Sequence, residues 1–340
     1  MTRIRGNRGL VVAGPLLVVR GLSVQFRHEE RTRTVVDDVT FEVEEGSCVA
    51  VVGESGSGKS VTALAVLRLL GPEATVEADE LSFRGSAILG LGPSELRALR
   101  GKGIAMIFQD PMTSLDPVMR VGEQVAEAIT LHERVRGRAL DQRVESVLRA
   151  VGFPDPREGA RRFPHELSGG LRQRVLIAIA IAARPSLVLA DEPTTALDPT
   201  LQAQVLDLLD RLRAEQRSSL VLVTHDLGVV AERADRVVVL YAGQVVESGP
   251  TAALFADPKH PYTRALLAAR PELGAASRGL GRLRPIPGTV PAPEHWPSGC
   301  RFADRCHQAV ESCRTSPFPA LVALGSGHAT RCPHVQKALP

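Results

Sequence analysis

One stretch constrains this chain more than any other: Gly46 to Ser60, GSCVAVVGESGSGKS. Cys48-Val49-Ala50-Val51-Val52 is short, apolar and largely β-branched, the pattern of a strand buried on both faces of a parallel sheet. Gly53-Glu54-Ser55-Gly56-Ser57-Gly58-Lys59-Ser60 fits G-x-x-x-x-G-K-[ST]. Apolar residues then recur at helical spacing: Val61, Leu64, Ala65, Leu67 and Leu70. Strand, Gly-rich loop and helix in that order predict an α/β fold with a phosphate site at the end of the strand. The glycines let successive N–H groups turn toward one anion, and the helix N-terminus adds partial positive charge behind them. Lys59 is placed to reach the β- and γ-phosphates of a nucleoside triphosphate, and Ser60 to ligate Mg²⁺.

A second apolar run, Leu187-Val188-Leu189-Ala190, ends in Asp191-Glu192-Pro193. A buried parallel strand with this ending puts carboxylates at the carboxyl edge of the sheet, where ligands bind in open α/β folds. Asp191 suits Mg²⁺, directly or through water. Glu192 is placed to polarise an attacking water.

Composition bounds the rest. The longest apolar run, Val175 to Ala183, has nine residues, against the ~18 needed to span a membrane. The basic start, Met1 to Leu10, is followed by an apolar stretch that Pro15 interrupts and no small-residue cleavage site ends. Residues 1–15 are therefore expected to be a loose tail feeding a first strand, and the protein to be cytosolic. With 41 basic and 38 acidic residues and only nine Phe, two Tyr and one Trp, the chain lacks a nucleic-acid footprint. Helix-forming, apolar-periodic sequence ends near Ala269, while residues 271–340 hold ten of the 24 prolines and four of the five cysteines. This predicts a main domain over 16–270 and a Pro-rich extension over 271–340.

Between the two candidate nucleotide segments lies Leu167-Ser168-Gly169-Gly170-Leu171-Arg172-Gln173-Arg174. Together the three segments resemble the nucleotide-binding subunit of an ABC transporter, and further marks follow in order. Gln109, in Ile107-Phe108-Gln109-Asp110-Pro111, matches the Q-loop. Ala196-Leu197-Asp198 matches the D-loop, and His225 the switch histidine. Phe26 stands where the family places a ring on adenine.

The resemblance implies an ABC nucleotide-binding domain of the P-loop NTPase class. It implies an antiparallel β subdomain and a helical subdomain inserted over about 110–168, with the Cys-containing extension after them. It further implies ATP hydrolysis, with ATP contacts running from Gly53 through Val61. Gln109 then joins Ser60 and Asp191 at Mg²⁺, and His225 bridges the γ-phosphate and Glu192. Ser168, Gly169, Gly170 and Asp198 contact the ATP held by a facing cassette. Only one cassette is present, so a second ATPase subunit is required. Leu171 stands where Gln is common in the family, which fits packing and removes a polar group from that facing contact.

Met106 to Pro117, His260-Pro261-Tyr262-Thr263-Arg264 and Ile286-Pro287-Gly288 resemble the oligopeptide/dipeptide import branch. That resemblance implies a D-type subunit paired with a different, F-type chain beneath two membrane permeases. An extracytoplasmic solute-binding protein supplies the peptide, and this chain sits peripherally on the cytoplasmic face of the membrane. Nickel or another small solute is the alternative cargo. A soluble ABC ATPase acting on nucleic acid or the ribosome is the alternative function.

Cys300, Cys306, Cys313 and Cys332 have the spacing C-x5-C-x6-C-x18-C. In a cytosolic protein such a cluster suggests metal over disulfides. If 303–313 is helical, Cys306 and Cys313 share a face about 10 Å apart, too far for a disulfide. Four thiolates suit a [4Fe–4S] cluster, which the resembling family also carries in this region. Zinc, or thiols with no metal, are the alternatives. Cys48, inside the first buried strand, is expected to be a core residue.

Overall fold

The computed structural model describes residues 14–28, 31–195, 197–269, 286–317 and 319–336. The tail expected over 1–15 lies outside them except for Gly14 and Pro15, as do residues 271–285 of the extension and Ala196 of the D-loop segment.

Among the described residues, an 8-stranded sheet forms the centre. Its parallel part runs, in spatial order, Arg236–Tyr241, Cys48–Val52, Ser219–Thr224, Leu187–Asp191 and Ile104–Ile107. Every residue of Cys48–Val52, Leu187–Asp191 and Ser219–Thr224 is buried, which is why these strands read as unbroken apolar runs. The register pairs Val52 with Thr224 and Asp191 with Val223. The phosphate loop, the two acids and His225 thus leave the sheet at one edge.

Behind that edge the helix Gly169–Ile181 buries Val175, Leu176, Ile177, Ala178, Ala180 and Ile181. It is apolar on nearly all sides because the core surrounds it. The helix after the phosphate loop is shorter than its periodicity suggests. It spans Lys59–Val66 and stops where Arg68 turns left-handed (φ 50°).

The antiparallel subdomain is present. Leu17–His28 pairs with Arg31–Val43, with Glu80–Phe83 and with Ala74–Glu77. Its Val24, Val36 and Val39 share one core with Val51, Ala63 and Val66, so this sheet lies against the phosphate-loop helix. The helical insertion comprises Pro111–Ser114, Val121–Thr130, Gly137–Ala150 and Pro156–Arg161. Val144, Val147 and Leu148 form the one-sided stripe that packs with Val121, Val125 and Ile129.

Among its described residues the extension has no separate core. Its hairpin, Val322–Gly325 and His328–Thr330, adds to the central sheet against Gln244–Pro250. Cys300, Phe302, Ala303 and Cys313 pack with Tyr241, Leu254 and Tyr262. Residues 303–313 are not one helix. A 3-10 turn, Ala303–Arg305, ends before an extended Cys306 (φ −90°, ψ 116°), and the chain turns again before the helix Glu311–Thr315. Across this break, Phe302, Ala303 and Cys313 all pack into the same core.

Candidate functional site

The phosphate loop closes on itself. Gly53, Gly56 and Gly58 have φ of 156°, 77° and 98°, and the last two values are accessible at little cost only to glycine. A Cβ on Gly53 would lie 2.2 Å from the Leu240 carbonyl oxygen, so the loop can pack against the neighbouring strand only without a side chain there. Lys59 Nζ donates to the carbonyls of Gly53 (2.9 Å) and Glu54 (3.1 Å). Burial pushes its pKa below the usual lysine value, while Glu192, Asp191 and Glu54 pull the other way. A cavity of about 200 Å³ opens over the loop, lined by Ser55 to Val61 together with Val35, Gln109 and Glu192.

Glu192 is the centre of the site. Its Oε2 accepts from Thr195 Oγ1 at 2.9 Å and from Gln109 Nε2 at 3.3 Å. His225 Nδ1 lies 3.5 Å from the same oxygen, and Lys59 Nζ lies 3.9 Å from Oε1. Glu192 itself sits at φ 44°, in left-handed space. That conformation costs a non-glycine residue about 1 kcal/mol or more and concentrates at functional sites. Beside it, Ser60 Oγ donates to Asp191 Oδ1 at 3.0 Å. Burial raises the Asp191 pKa, partly countered by that hydrogen bond. Ser60 and Asp191 thus present hard oxygen donors side by side, a set that fits Mg²⁺.

Lys59, Ser60, Gln109, Asp191, Glu192 and His225 are therefore brought together, as the sequence suggests. Thr195 and Val35 belong to none of the segments that the sequence motifs mark. Thr195 had a signal, standing three residues after Glu192 on a turn; Val35 had none. Phe26 is half-buried against the subdomain core and does not line the cavity.

Ser168, Gly169, Gly170 and Asp198 do not line it either. Ser168 caps the helix Gly169–Ile181, its Oγ accepting from the Leu171 N–H at 3.4 Å, and Ser168 and Gly169 are exposed. Gly170 is buried beneath Leu201, and Leu171 packs partly into the core. Asp198 caps the helix Pro199–Gln216 by accepting from Thr200 and Leu201 N–H groups, each at 3.0 Å.

The extension holds a second, narrow cavity. Cys300, Cys306, Cys313 and Cys332 all line it, with His260 and His334. All five cysteines are free thiols, and Cys48 is buried in its strand. Burial pushes the Cys300 thiol up to about 12 and raises that of Cys306. Among the described residues no group of three or more His, Cys, Asp or Glu side chains is arranged to hold a metal ion. No helix among them is long and apolar enough to cross a membrane.

The chain is similar to known proteins over most of its length. Residues 36–195 match the family described as ABC transporter, and residues 246–313 match the oligopeptide/dipeptide transporter C-terminal region. A peptide import ATP-binding protein of Brucella ovis is 46% identical over 327 residues, covering 94% of this chain and 96% of that protein. A protein of the same name from Brucella melitensis is 47% identical over 328 residues, again covering 94% and 96%. Among solved structures, the ATP-binding cassette MJ0796, a dimer in a post-hydrolysis state with ADP and Pi, superposes with a TM-score of 0.60. It is 28% identical, and the match covers 69% of this chain and 98% of that one.

Proposed function

Because the chain belongs to the ABC transporter family, in the oligopeptide/dipeptide branch of its ATP-binding subunits, we propose that it hydrolyses ATP to drive peptide uptake through membrane permeases. The observation that carries this reading is the convergence of Lys59, Gln109 and His225, from three separate segments, together with the neighbouring Thr195, on the one carboxylate of Glu192. A phosphate loop that only bound nucleotide would not need it.

In this reading the loop N–H groups and Lys59 hold the β- and γ-phosphates. Lys59 exchanges its bonds to the Gly53 and Glu54 carbonyls for phosphate oxygens. Ser60, Asp191 and Gln109 hold Mg²⁺, which when bound offsets the charge of the phosphates. Glu192 accepts the proton of the attacking water, and Thr195 and Gln109 fix the orientation of its carboxylate. His225, on an exposed strand end, is free to bridge Glu192 and the γ-phosphate. Phe26 supplies the adenine contact.

The exposed end at Ser168 and Gly169, away from the phosphate cavity, supports a composite site in which this end and Asp198 serve the ATP of a partner cassette. The D-type assignment makes that partner an F-type subunit. Two permeases and a solute-binding protein complete the importer, with this chain on the cytoplasmic face.

Copurification with permeases and a second ATPase, followed by uptake assays with labelled di- and oligopeptides and with nickel, tests the reading. ATP-dependent peptide uptake is expected. Nickel uptake alone would reassign the cargo, and full ATPase activity of the isolated monomer would remove the composite site.

The four-thiol cavity is proposed to take a [4Fe–4S] cluster, with zinc as the alternative. Four thiols lining one narrow cavity are the soft donors such a cluster takes, and drawing them into a ligand set would release their protons. The group would staple the extension and take no part in hydrolysis. Anaerobically purified protein is expected to carry about four iron and four sulfide per chain. Zinc without sulfide, or no metal, would overturn the assignment.

A further inference from the structure

Glu54, the second residue of the phosphate loop, is gripped at both its backbone and its side chain by distant segments. Its N–H donates to the hydroxyl of buried Tyr262 at 2.9 Å. Its carboxylate accepts two bonds from Arg305, Nη1 to Oε2 at 2.8 Å and Nη2 to Oε1 at 3.2 Å. This is the forked arrangement in which a guanidinium fixes a carboxylate in both position and plane.

Arg305 is itself immobilised. Its Nε donates to the Pro287 carbonyl at 2.7 Å, and its guanidinium lies 5.7 Å from the Tyr241 ring centre and 5.9 Å from that of Phe302. Its side chain is 8% exposed and that of Glu54 25%, so the pair is shielded more than a surface ion pair.

The same pattern recurs around the cysteine cavity. Arg301, next to Cys300, binds Asp37 and donates to the Ala242 carbonyl at 2.6 Å. Arg331, next to Cys332, binds Asp38 and donates to the Val245 carbonyl at 2.7 Å. Asp37 and Asp38 follow Val35 and Val36, whose atoms lie 3.3 Å from where a Cβ on Gly58 would stand. The extension thus touches the phosphate loop directly through Arg305 and braces the strand beside it through Arg301 and Arg331.

We propose that Arg305 is a positioning residue of the nucleotide site: through its paired bonds to Glu54, the C-terminal extension holds the phosphate loop in its binding conformation and neutralises a carboxylate that would otherwise stand unpaired beside the incoming triphosphate. The proposal rests on the nucleotide-binding role of the loop given above, and is independent of what fills the cysteine cavity. The loop is then ordered before ATP arrives, which removes an ordering cost from binding.

The test uses the full chain, with MgATP affinity from calorimetric titration, ATPase KM and kcat in the assembled transporter, and melting without nucleotide. Arg305→Ala is expected to weaken ATP binding and raise KM by about tenfold, with kcat changed by less than about threefold. Arg305→Lys keeps the charge without the fork and is expected to recover part of the loss. Adding Glu54→Gln to Arg305→Ala is expected to improve affinity, because the unpaired charge is gone.

Wild-type affinity and KM in Arg305→Ala, or a lowered melting temperature with KM unmoved, would overturn the proposal. So would losses that simply multiply in the double variant. Should Arg305→Ala not fold, Glu54→Gln alone decides: about threefold weaker binding or more supports the pair, and unchanged binding removes it. Lys59→Ala run beside these separates the two readings. If it weakens binding about 100-fold while Arg305→Ala leaves affinity and KM at their wild-type values, the nucleotide site stands and only the role of Arg305 falls.

Discussion

Glu192→Gln is expected to leave ATP bound while lowering its hydrolysis by about 10²–10⁴-fold, the usual range for losing a general base. The substitution keeps the size of the side chain and an oxygen for Thr195 and Gln109, which hold the carboxylate at 2.9 and 3.3 Å. It removes the group that can take a proton from water. Gln also meets the same backbone cost as Glu at φ 44°, so the turn after Asp191 is preserved. Because the γ-phosphate then stays intact, the ATP-bound pair of cassettes is expected to accumulate. Phosphate release from the reconstituted transporter and nucleotide-dependent pairing by size-exclusion chromatography measure the two effects. Turnover at the wild-type rate would remove Glu192 from the role of base.

Lys59→Ala is expected to act on binding instead, weakening ATP affinity by about 100-fold, which corresponds to ~2.7 kcal/mol. The ammonium is nearly fully buried, with its side chain 5% exposed, and burial is the main influence on it, lowering its pKa. In the nucleotide-free fold the charged form is therefore under strain, relieved when phosphate oxygens replace backbone carbonyls as its partners. The sign of the stability effect follows. A lysine whose folded pKa lies below its unfolded value disfavours folding while it is charged, so its removal is not expected to lower the melting temperature of the nucleotide-free protein. What disappears is the rise in melting temperature on adding MgATP, since that rise measures binding. Thermal scans with and without MgATP check both halves, and an undiminished ATP-induced shift would contradict the assignment.

The nucleotide site was legible in the sequence because its chemistry is local. Gly53 to Ser60 carries its own turn, helix start and lysine within one loop. Asp191 and Glu192 end a strand whose burial on both faces forces an apolar run. Gln109 and His225 were placed by resemblance, and the structure puts both on Glu192. The register of Leu187–Asp191 beside Ser219–Thr224 accounts for the approach of His225. Thr195 is not legible in the sequence because a threonine on a turn carries no sign of the Glu192 carboxylate that its hydroxyl meets in the fold.

The extension was much less legible. Its prolines and cysteines marked a change of composition, but the helix considered across 303–313 is broken into two short pieces. Helical spacing there reflects two separate approaches to one shared core, which periodicity cannot distinguish from a single face.

The amino-acid order alone determined the phosphate loop, the acid-tipped strand and the family of the chain, since each depends on residues adjacent along the backbone and limited by steric and hydrogen-bonding rules within a few positions. Only the tertiary structure decided that three separate segments meet at Glu192, that the C-terminal hairpin widens the central sheet, and that Arg305 reaches Glu54 across 251 positions. An arginine advertises a charge and a fork but not its partner, and that choice is made by the packing of the whole molecule around it.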